Sequence, residues 1–300
     1  MPIPLILDTD IGTDVDDVWA LVFLLNCPEV DVKLITTCTG DTEYRACLVA
    51  KILSELGRED VPIGIGLTLD RSEKTHKQWL GDYSLEDFPG QVFRDGVGAI
   101  CDTISAQSES AILLSIGPLP NVSAALSRAP DITRLSRFVG MHGSLRKGYL
   151  GSEKPAREYN VKLHALSCKH VFESDWNKTI TPLDSCGNIY LDGDRFSRLL
   201  NAQNRSARIV TSAHESWLSA ISDWPIYKKA SMENRSSILF DCVAVYLSFS
   251  EECLKVEELP ILVTEDGKTI IDDSGDLVNC AMDWLDQEKF LDLLVDRLLR

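Results

Sequence analysis

The sequence predicts an α/β protein: an open, mostly parallel but mixed sheet, helices on both faces, and a functional site at the carboxyl ends of the strands. Short apolar runs alternate with amphipathic segments along the first part of the chain. Such alternation is typical of right-handed βαβ units, which place helices over both faces of a parallel sheet. Because the 300 residues show no internal repeat and no linker-like stretch, we expect one domain, 1–300.

Each element follows from its local pattern. Strands are predicted where short apolar or β-branched runs occur, at residues 4–10, 31–37, 61–66, 111–121 and 136–141. Helices are predicted where apolar residues recur at helical spacing, at residues 16–28, 41–57, 122–130 and 164–174.

The last part of the chain has a different pattern. Residues 259–272 predict a hairpin that turns at Asp266–Gly267, and residues 282–299 predict an amphipathic terminal helix. Residues 68–91 are polar and rich in turn formers, so we expect a long loop or lid there.

The composition excludes several classes of protein. A formal net charge of -16 argues against a nucleic acid or an anionic membrane surface as partner, since both bind basic surfaces. The amino terminus has no basic segment before its first aspartates, and no apolar run is long enough to span a bilayer. Nine scattered cysteines without a CxxC pair indicate reduced thiols, so we expect a cytoplasmic protein.

Three residues raise the question of a zinc site. His164 and Cys168 lie one helical turn apart, and His170 follows. No second ligand pair occurs at a finger-like spacing, so we interpret the three as part of a packed helix face.

An acidic cluster near the amino terminus is the strongest functional signal. Asp8 and Asp10 end the first strand two residues apart, so their side chains share a face. Asp16 and Asp17 open the next helix, where the helix dipole favours carboxylates. Ligands of open α/β sheets bind at that edge. Several carboxylates around one point need a hard cation, so the cluster predicts calcium or magnesium.

Other interpretations of the cluster exist. Asp16 or Asp17 could simply cap a helix at the surface, although this explains the strand-end pair poorly. An EF-hand does not fit, because Trp19 stands where the loop needs glutamate. A strand ending in Asp-x-Asp also occurs in phosphatases of the haloacid-dehalogenase type, with Asp8 as nucleophile and Asp10 as acid/base.

Five segments, in order, resemble one enzyme family, and the middle ones are not expected of a phosphatase. They are LDTDIGTDVDDVWAL, LITTCTGDTEYRA, SIGPLPNVSAAL, FVGMHGS with AREYN, and LFDCVAVYL. In this order they resemble the signatures of the inosine–uridine-preferring nucleoside hydrolase family. The resemblance implies a calcium-dependent enzyme that hydrolyses the N-glycosidic bond of ribonucleosides to ribose and free base. It also implies a homodimer or homotetramer.

The resemblance also implies roles for individual residues. The metal would be held by Asp10, Asp17 and Asp241, with the main-chain carbonyl of Pro120 and with Asp8 as a further ligand or orienting group. Asp10 would also be the general base that takes the proton of the attacking water. The ribose would be contacted by Asp16, Asp41, Met141, Glu158 and Asn160. Asn121 is expected to be a helix cap.

This sequence departs from the family pattern at several positions. The turn after Asp10 is two residues longer than the short form of the motif, so Asp14 competes with Asp16 for one role. Phe240 stands where many members carry a histidine that can protonate the leaving base. His142 is a nearby titratable alternative, although a packed histidine is the simpler interpretation. Because of Phe240, a second alternative remains: a relative of the family that binds ribose or nucleosides without catalysis.

Overall fold

The computed structural model describes residues 1–107, 110–221 and 224–300. Within these ranges the strands are β1 (Ile3–Thr9), β2 (Val30–Thr37), β3 (Ile63–Ile65), β4 (Val92–Phe93), β5 (Ala111–Ser115), β6 (Ser136–Met141), β7 (Lys178–Thr181), β8 (Leu254–Val263), β9 (Thr269–Ile271) and β10 (Asp276–Trp284).

Helices separate these strands. Those of the described ranges are α1 (Asp16–Leu25), α2 (Thr42–Leu56), α3 (Lys77–Leu80), α4 (Gly96–Ser105), α5 (Pro120–Arg128), α6 (Ile132–Leu135), α7 (Tyr159–Leu163), α8 (Ala165–Phe172), α9 (Leu183–Cys186), α10 (Gly193–Leu200), α11 (Arg205–Ala220), α12 (Phe240–Phe249) and α13 (Gln287–Leu298). Short 3₁₀ turns occur at Leu85–Asp87, Tyr149–Gly151 and Pro225–Tyr227.

The strands form a mixed sheet in the order β4-β3-β2-β1-β5-β6-β7-β10-β8-β9. The pairs from β4 to β7, and the pair of β7 with β10, are parallel, whereas β8 pairs antiparallel with both β10 and β9. The chain runs outwards from β1 to β4, then returns to place β5 on the other side of β1. This reversal creates a crevice at the carboxyl end of β1, where α/β sheets bind ligands.

Both faces of the sheet are buried. Leu5 and Leu7 of β1 pack into one hydrophobic cluster, whereas Ile6 packs into a second cluster on the other face. Because side chains of a strand alternate between faces, a strand covered on both sides must be apolar throughout. The α/β architecture predicted from the sequence is therefore confirmed, with helices over both faces.

Several predicted elements match, and some were missed or misplaced. The hairpin around Gly267 (φ +80°) is formed by β8 and β9. Residues 282–284, predicted to begin the last helix, instead end β10, because Met282 is buried beside β8 in the sheet. The helix begins after Asp286, whose carboxylate accepts a hydrogen bond from the Lys289 amide at 3.0 Å. Of the described helices, none combines the length and apolarity needed to cross a bilayer.

Candidate active site

Two helix starts bring three carboxylates together. Asp16 and Asp17 occupy the first turn of α1, and Asp241 occupies the first turn of α12, which packs against α1. One oxygen of each lies within 4.8 Å of the others, and all three residues are buried. The Asp241 amide also donates to Asp16 Oδ2 at 3.4 Å. The positive ends of both helix dipoles thus face the cluster and stabilise its negative charge.

The turn between β1 and α1 adds two more carboxylates. Asp10 is buried, and its Oδ2 lies 4.0 Å from Arg45 Nη2. Asp14 accepts hydrogen bonds from the Tyr227 hydroxyl and from the Val15 amide. Both aspartates line the same cavity as Asp16, Asp17 and Asp241. The volume of this cavity is about 250 Å³.

Burial makes this group of acids unusual. It raises the pKa of Asp14 to about 7 and those of Asp16, Asp17 and Asp241 well above the ordinary value, and repulsion among neighbouring carboxylates adds to the rise. No lysine or arginine occurs among the described residues that line the cavity. An ionised cluster of this kind is costly without a cation, so its all-oxygen donor set suits a hard divalent ion.

A third wall of the cavity comes from the start of α7. The buried Glu158 carboxylate caps this helix, accepting from the Asn160 amide at 2.7 Å and from the Val161 amide at 3.1 Å. Asn160 Nδ2 donates to the carbonyls of Met141 and Ile116, at 3.1 and 3.2 Å. Burial raises the pKa of Glu158 to about 7. The two polar side chains therefore belong to a buried helix start rather than to an exposed strand.

Aromatic rings complete the cavity. Its described lining includes Tyr149, Tyr159, Trp224, Tyr227 and Phe240. Tyr149 and Phe240 meet edge to face with their centroids 6.0 Å apart, and the Trp224 and Tyr227 rings also lie 6.0 Å apart. A cavity with both carboxylates and flat apolar rings can hold a molecule that has a polar, hydroxylated part and a planar part.

Comparisons with known proteins agree with this geometry. Residues 5–292 match the sequence model of the inosine-uridine preferring nucleoside hydrolases. The chain belongs to this family. It is 27% identical to the pyrimidine-specific ribonucleoside hydrolase RihA of Escherichia coli O1:K1, with 99% of each protein covered. Membership makes the chain a hydrolase that acts on N-glycosyl compounds.

Solved structures of nucleoside hydrolases share the fold. The plant nucleoside hydrolase PpNRh1 matches with a TM-score of 0.84 at 17% identity, covering 100% of this chain and 99% of its own. The purine-preferring ribonucleoside hydrolase from Gardnerella vaginalis matches with a TM-score of 0.81 at 22% identity, covering 99% and 98%. At such identities the likeness shows the fold alone.

Beneath the cavity, Asp8 occupies a different environment from the other aspartates. It is fully buried in β1, and its Oδ1 accepts from Thr36 Oγ1 at 2.6 Å and from Asn121 Nδ2 at 2.8 Å. Burial raises its pKa to about 7. Asp8 does not line the cavity. Its contacts link the end of β1 to β2 and α5 in this nucleoside hydrolase.

Asn121 was expected to cap a helix, and this expectation is wrong. It lies within the first turn of α5 after Pro120, fully buried. Besides donating to Asp8, its amide donates to the Thr37 carbonyl at 3.0 Å and accepts from the Leu67 amide at 2.9 Å. Asn121 therefore links β1, β2 and the segment that follows β3.

Two other expected ligands of the nucleoside hydrolase site lie elsewhere. Asp41, expected to contact ribose, is the N-cap of α2: it accepts from the Tyr44 amide at 2.9 Å and pairs with Lys74 at 2.5 Å, and it does not line the cavity. Pro120 does not line it either, because it already belongs to α5; Ile116, directly after β5, does.

The histidines considered as an acid or as zinc ligands have different partners in the structure. His142 is fully buried between the rings of Phe138 and Phe172, and burial lowers its pKa to about 4. His164 pairs with Asp70 at 2.7 Å, whereas His170 contacts a serine hydroxyl on α5. The sequence missed Tyr149, Tyr227 and Ile116, since no pattern marks these residues as neighbours of the aspartates.

Proposed function

We propose that this nucleoside hydrolase cleaves ribonucleosides to ribose and free base and that it uses Ca²⁺. The observation that carries the proposal is the buried group of Asp16, Asp17 and Asp241 in a cavity that also contains Asp10. Oxygen donors on several converging segments are the ligands that Ca²⁺ binds in proteins. The pyrimidine-specific and purine-preferring enzymes among its relatives support a ribonucleoside substrate.

The ion would be held by Asp10, Asp17 and Asp241 together with a main-chain carbonyl at Ile116, the cavity residue that takes the place expected for Pro120. Asp16 belongs to the same group of carboxylates, and its proposed role is to bind the ribose hydroxyls beside the ion. A bound divalent cation would lower the pKa of its bound water and would also coordinate the diol of a sugar.

The chain's own residues then do three things. Asp10 accepts the proton of the attacking water, which makes the water a better nucleophile. Glu158 and Asn160 hold the ribose hydroxyls next to Met141, because all three line one part of the cavity wall. The carboxylates stabilise the positive charge that develops on the sugar as its bond to the base breaks. The aromatic rings cover the base and exclude water.

The two alternatives from other classes have less support. A haloacid-dehalogenase-type phosphatase needs Asp8 as an exposed nucleophile, whereas Asp8 is fully buried and held by Thr36 and Asn121. A non-catalytic ribose-binding relative rests only on Phe240. Of the residues proposed for the reaction, all but Asp8, Asp41 and Pro120 line the cavity.

The surroundings of the enzyme are also part of the proposal. We propose a cytoplasmic location, because nine free cysteines suit a reducing compartment, and a small-molecule partner, because a net charge of -16 does not suit nucleic acid. The proposed homodimer or homotetramer rests on the family resemblance alone. Light scattering of the purified protein would measure its oligomeric state, and a monomer would contradict this part.

The decisive experiment measures sugar release with and without metal. The protein is stripped with a chelator, then supplied with Ca²⁺, Mg²⁺ or neither, and reducing sugar is measured with uridine, cytidine, inosine, adenosine and p-nitrophenyl riboside. We expect release with Ca²⁺ and almost none after stripping. Turnover of p-nitrophenyl phosphate without release of ribose would instead support the phosphatase, and binding of ribose without turnover the non-catalytic relative.

A further inference from the structure

A buried arginine lies directly beside the proposed general base. Arg45 belongs to the first turns of α2 and is 1% exposed. Its Nε donates to the Thr39 carbonyl at 2.9 Å and its Nη1 to the Ile11 carbonyl at 2.8 Å. Its Nη2 donates to the hydroxyls of Thr13 and Ser72, each at 3.2 Å. A residue as polar as arginine is rarely this buried unless its donors are used.

These bonds join three loops around the cavity. The guanidinium contacts the β1–α1 turn (residues 10–15), the β2–α2 turn (residues 38–41) and the long loop (residues 68–91). Each loop comes from a different part of the chain, and each follows a strand of the sheet at its carboxyl end. A single planar group with five donors in fixed directions can bind acceptors on all three.

The β2–α2 turn is shaped to receive this group. Thr39 and Gly40 both have left-handed backbones, with φ of 56° and 55°. That conformation is uncommon for a β-branched residue and persists where surrounding contacts enforce it. A Cβ on Gly40 would lie 3.0 Å from Arg45 Nη2 and only 2.1 Å from Ser72 Oγ. A side chain at residue 40 would therefore displace the Ser72 hydroxyl and crowd the guanidinium.

The positive charge of Arg45 also lies next to the carboxylate of Asp10. Its Nη2 lies 4.0 Å from Asp10 Oδ2, and in the described part of the chain this is the only ion pair formed by a carboxylate of the cavity. The guanidinium thus contacts both the backbone that carries Asp10 and the carboxylate itself.

Other side chains hold the same turn from outside. Thr75 Oγ1 donates to the Thr13 carbonyl at 2.8 Å, and Trp217 Nε1 donates to it at 3.2 Å. The β1–α1 turn, which is two residues longer than the short family motif, is therefore held by hydrogen bonds to the carbonyls of Ile11 and Thr13.

We propose that Arg45 is a positioning residue that fixes the β1–α1 turn and thereby the place of Asp10 for catalysis. The inference rests on the proposed function, in which Asp10 takes the proton of the attacking water. A lysine cannot replace Arg45, because one ammonium group cannot reach acceptors on three loops in the directions that the guanidinium fork does. Arg45 itself does not line the cavity, so its proposed role is to position other groups and not to contact the substrate.

The test compares Arg45→Lys, Arg45→Met and a matched control, Arg297→Met. Arg297 is 6% exposed and pairs with Glu29 at 2.5 Å, but it belongs to α13 and lies outside the cavity. The kcat and KM for p-nitrophenyl riboside are measured with saturating Ca²⁺, after circular dichroism has shown that each variant is folded. Amide hydrogen exchange of residues 10–15 is measured on the same samples.

For both Arg45 variants we expect kcat to fall by about 10²-fold, since a displacement of about 1 Å at a reacting group has that effect. KM should change by less than about threefold, because the ribose contacts remain. The control should keep its kcat. If Arg45→Met does not fold, Arg45→Lys decides alone. Wild-type kcat in Arg45→Lys, or an equal loss in the control, would overturn the proposal.

Hydrogen exchange separates this proposal from the proposed function. If wild-type protein cleaves no riboside, the proposed function fails, and exchange of residues 10–15 still shows whether Arg45 fixes the turn. We expect faster exchange there in both Arg45 variants and unchanged exchange in Arg297→Met. Equal exchange in all proteins would contradict the role of Arg45 whether or not the protein is active.

Discussion

At the residue scale, each aspartate of the amino-terminal motif has its own environment. Asp8 is held below the cavity by Thr36 and Asn121, whereas Asp10 faces Arg45. Asp14 is bound by the Tyr227 hydroxyl, whereas Asp16 lies with Asp17 and Asp241 in the group of three buried carboxylates. The two-residue extension thus adds a carboxylate with a partner of its own rather than duplicating the role of Asp16.

Replacing Asp10 tests the proposed base directly. Asparagine keeps the shape of the side chain but cannot accept a proton, so we expect Asp10→Asn to lower kcat by about 10²-fold or more. Ribose binding should change less, because Glu158 and Asn160 are unaltered. Steady-state kinetics and calorimetric titration with ribose measure the two effects. Asp95, an exposed helix cap, supplies the control: Asp95→Asn should behave as wild type.

A second residue-scale prediction concerns the leaving base. Phe240 cannot donate a proton, and His142 is buried away from the cavity with its pKa lowered to about 4. Acid catalysis is worth about 10²–10⁴-fold, so its loss should slow poor leaving groups most. We expect kcat/KM for p-nitrophenyl riboside to exceed those for inosine and uridine by at least about 10²-fold.

Equal kcat/KM for the three substrates would mean that an acid is present. Tyr227→Phe would then be the next variant, since the Tyr227 hydroxyl lies in the cavity beside Asp14.

At the element scale, the turn between β5 and α5 passes close to the proposed base. A Cβ on Gly117 would lie 2.8 Å from both Asp10 Oδ1 and Cys38 Sγ. The strand and the turn can therefore approach β1 only because residue 117 has no side chain. The glycine of the Gly-Pro-Leu motif therefore has a physical reason, since a side chain at residue 117 would collide with Asp10 and Cys38.

Gly117→Ala should disturb catalysis more than folding. Overpacking here costs about 1–3 kcal/mol of unfolding free energy, and the displaced Asp10 should lower kcat by about 10²-fold. The control is Gly193→Ala, where a Cβ meets nothing within 4 Å but the backbone is left-handed (φ +49°). It should lose about 1–2 kcal/mol from backbone strain with unchanged kcat. Urea unfolding and kinetics measure both; an unaffected kcat in Gly117→Ala would contradict the contact.

At the scale of the whole molecule, the buried acids couple folding to pH and metal. Burial raises the pKa of Glu158 from 4.5 to about 7 and that of Asp8 from 3.8 to about 7. Between the ordinary and the raised values, the folded protein binds more protons than the unfolded chain. The free energy of unfolding of metal-free protein must therefore fall as pH rises through that window.

Thermal unfolding with and without Ca²⁺ tests this coupling. The Tm of stripped protein should be higher near about pH 5.5 than near about pH 8, by several degrees. Added Ca²⁺ should raise Tm more at the higher pH, because ligands must lose their protons to bind metal. A rise in Tm with Ca²⁺ that is independent of pH would argue against the buried carboxylates as its ligands.

What the sequence determined is local. Each apolar run and each helical period lies within one short segment of the chain. The convergence of Asp10 with Asp16 and Asp17 lies within a single βα unit, where chain geometry alone sets the distances. The fold class and the family motifs followed from such short segments. The single domain, the oligomeric state and the individual site roles stay predictions.

What only the tertiary structure decided depends on contacts between distant segments. The hydroxyl of Tyr227 reaches Asp14 across 213 positions of sequence, and Arg45 reaches Ser72 across 27. Asp41 caps α2 and pairs with Lys74 instead of lining the cavity. It directly follows Thr39 and Gly40, which are left-handed, a conformation that no sequence pattern predicts for a threonine. Sheet order and loop packing set these contacts, and their energies depend on burial, which the chain acquires only when the whole sheet is assembled.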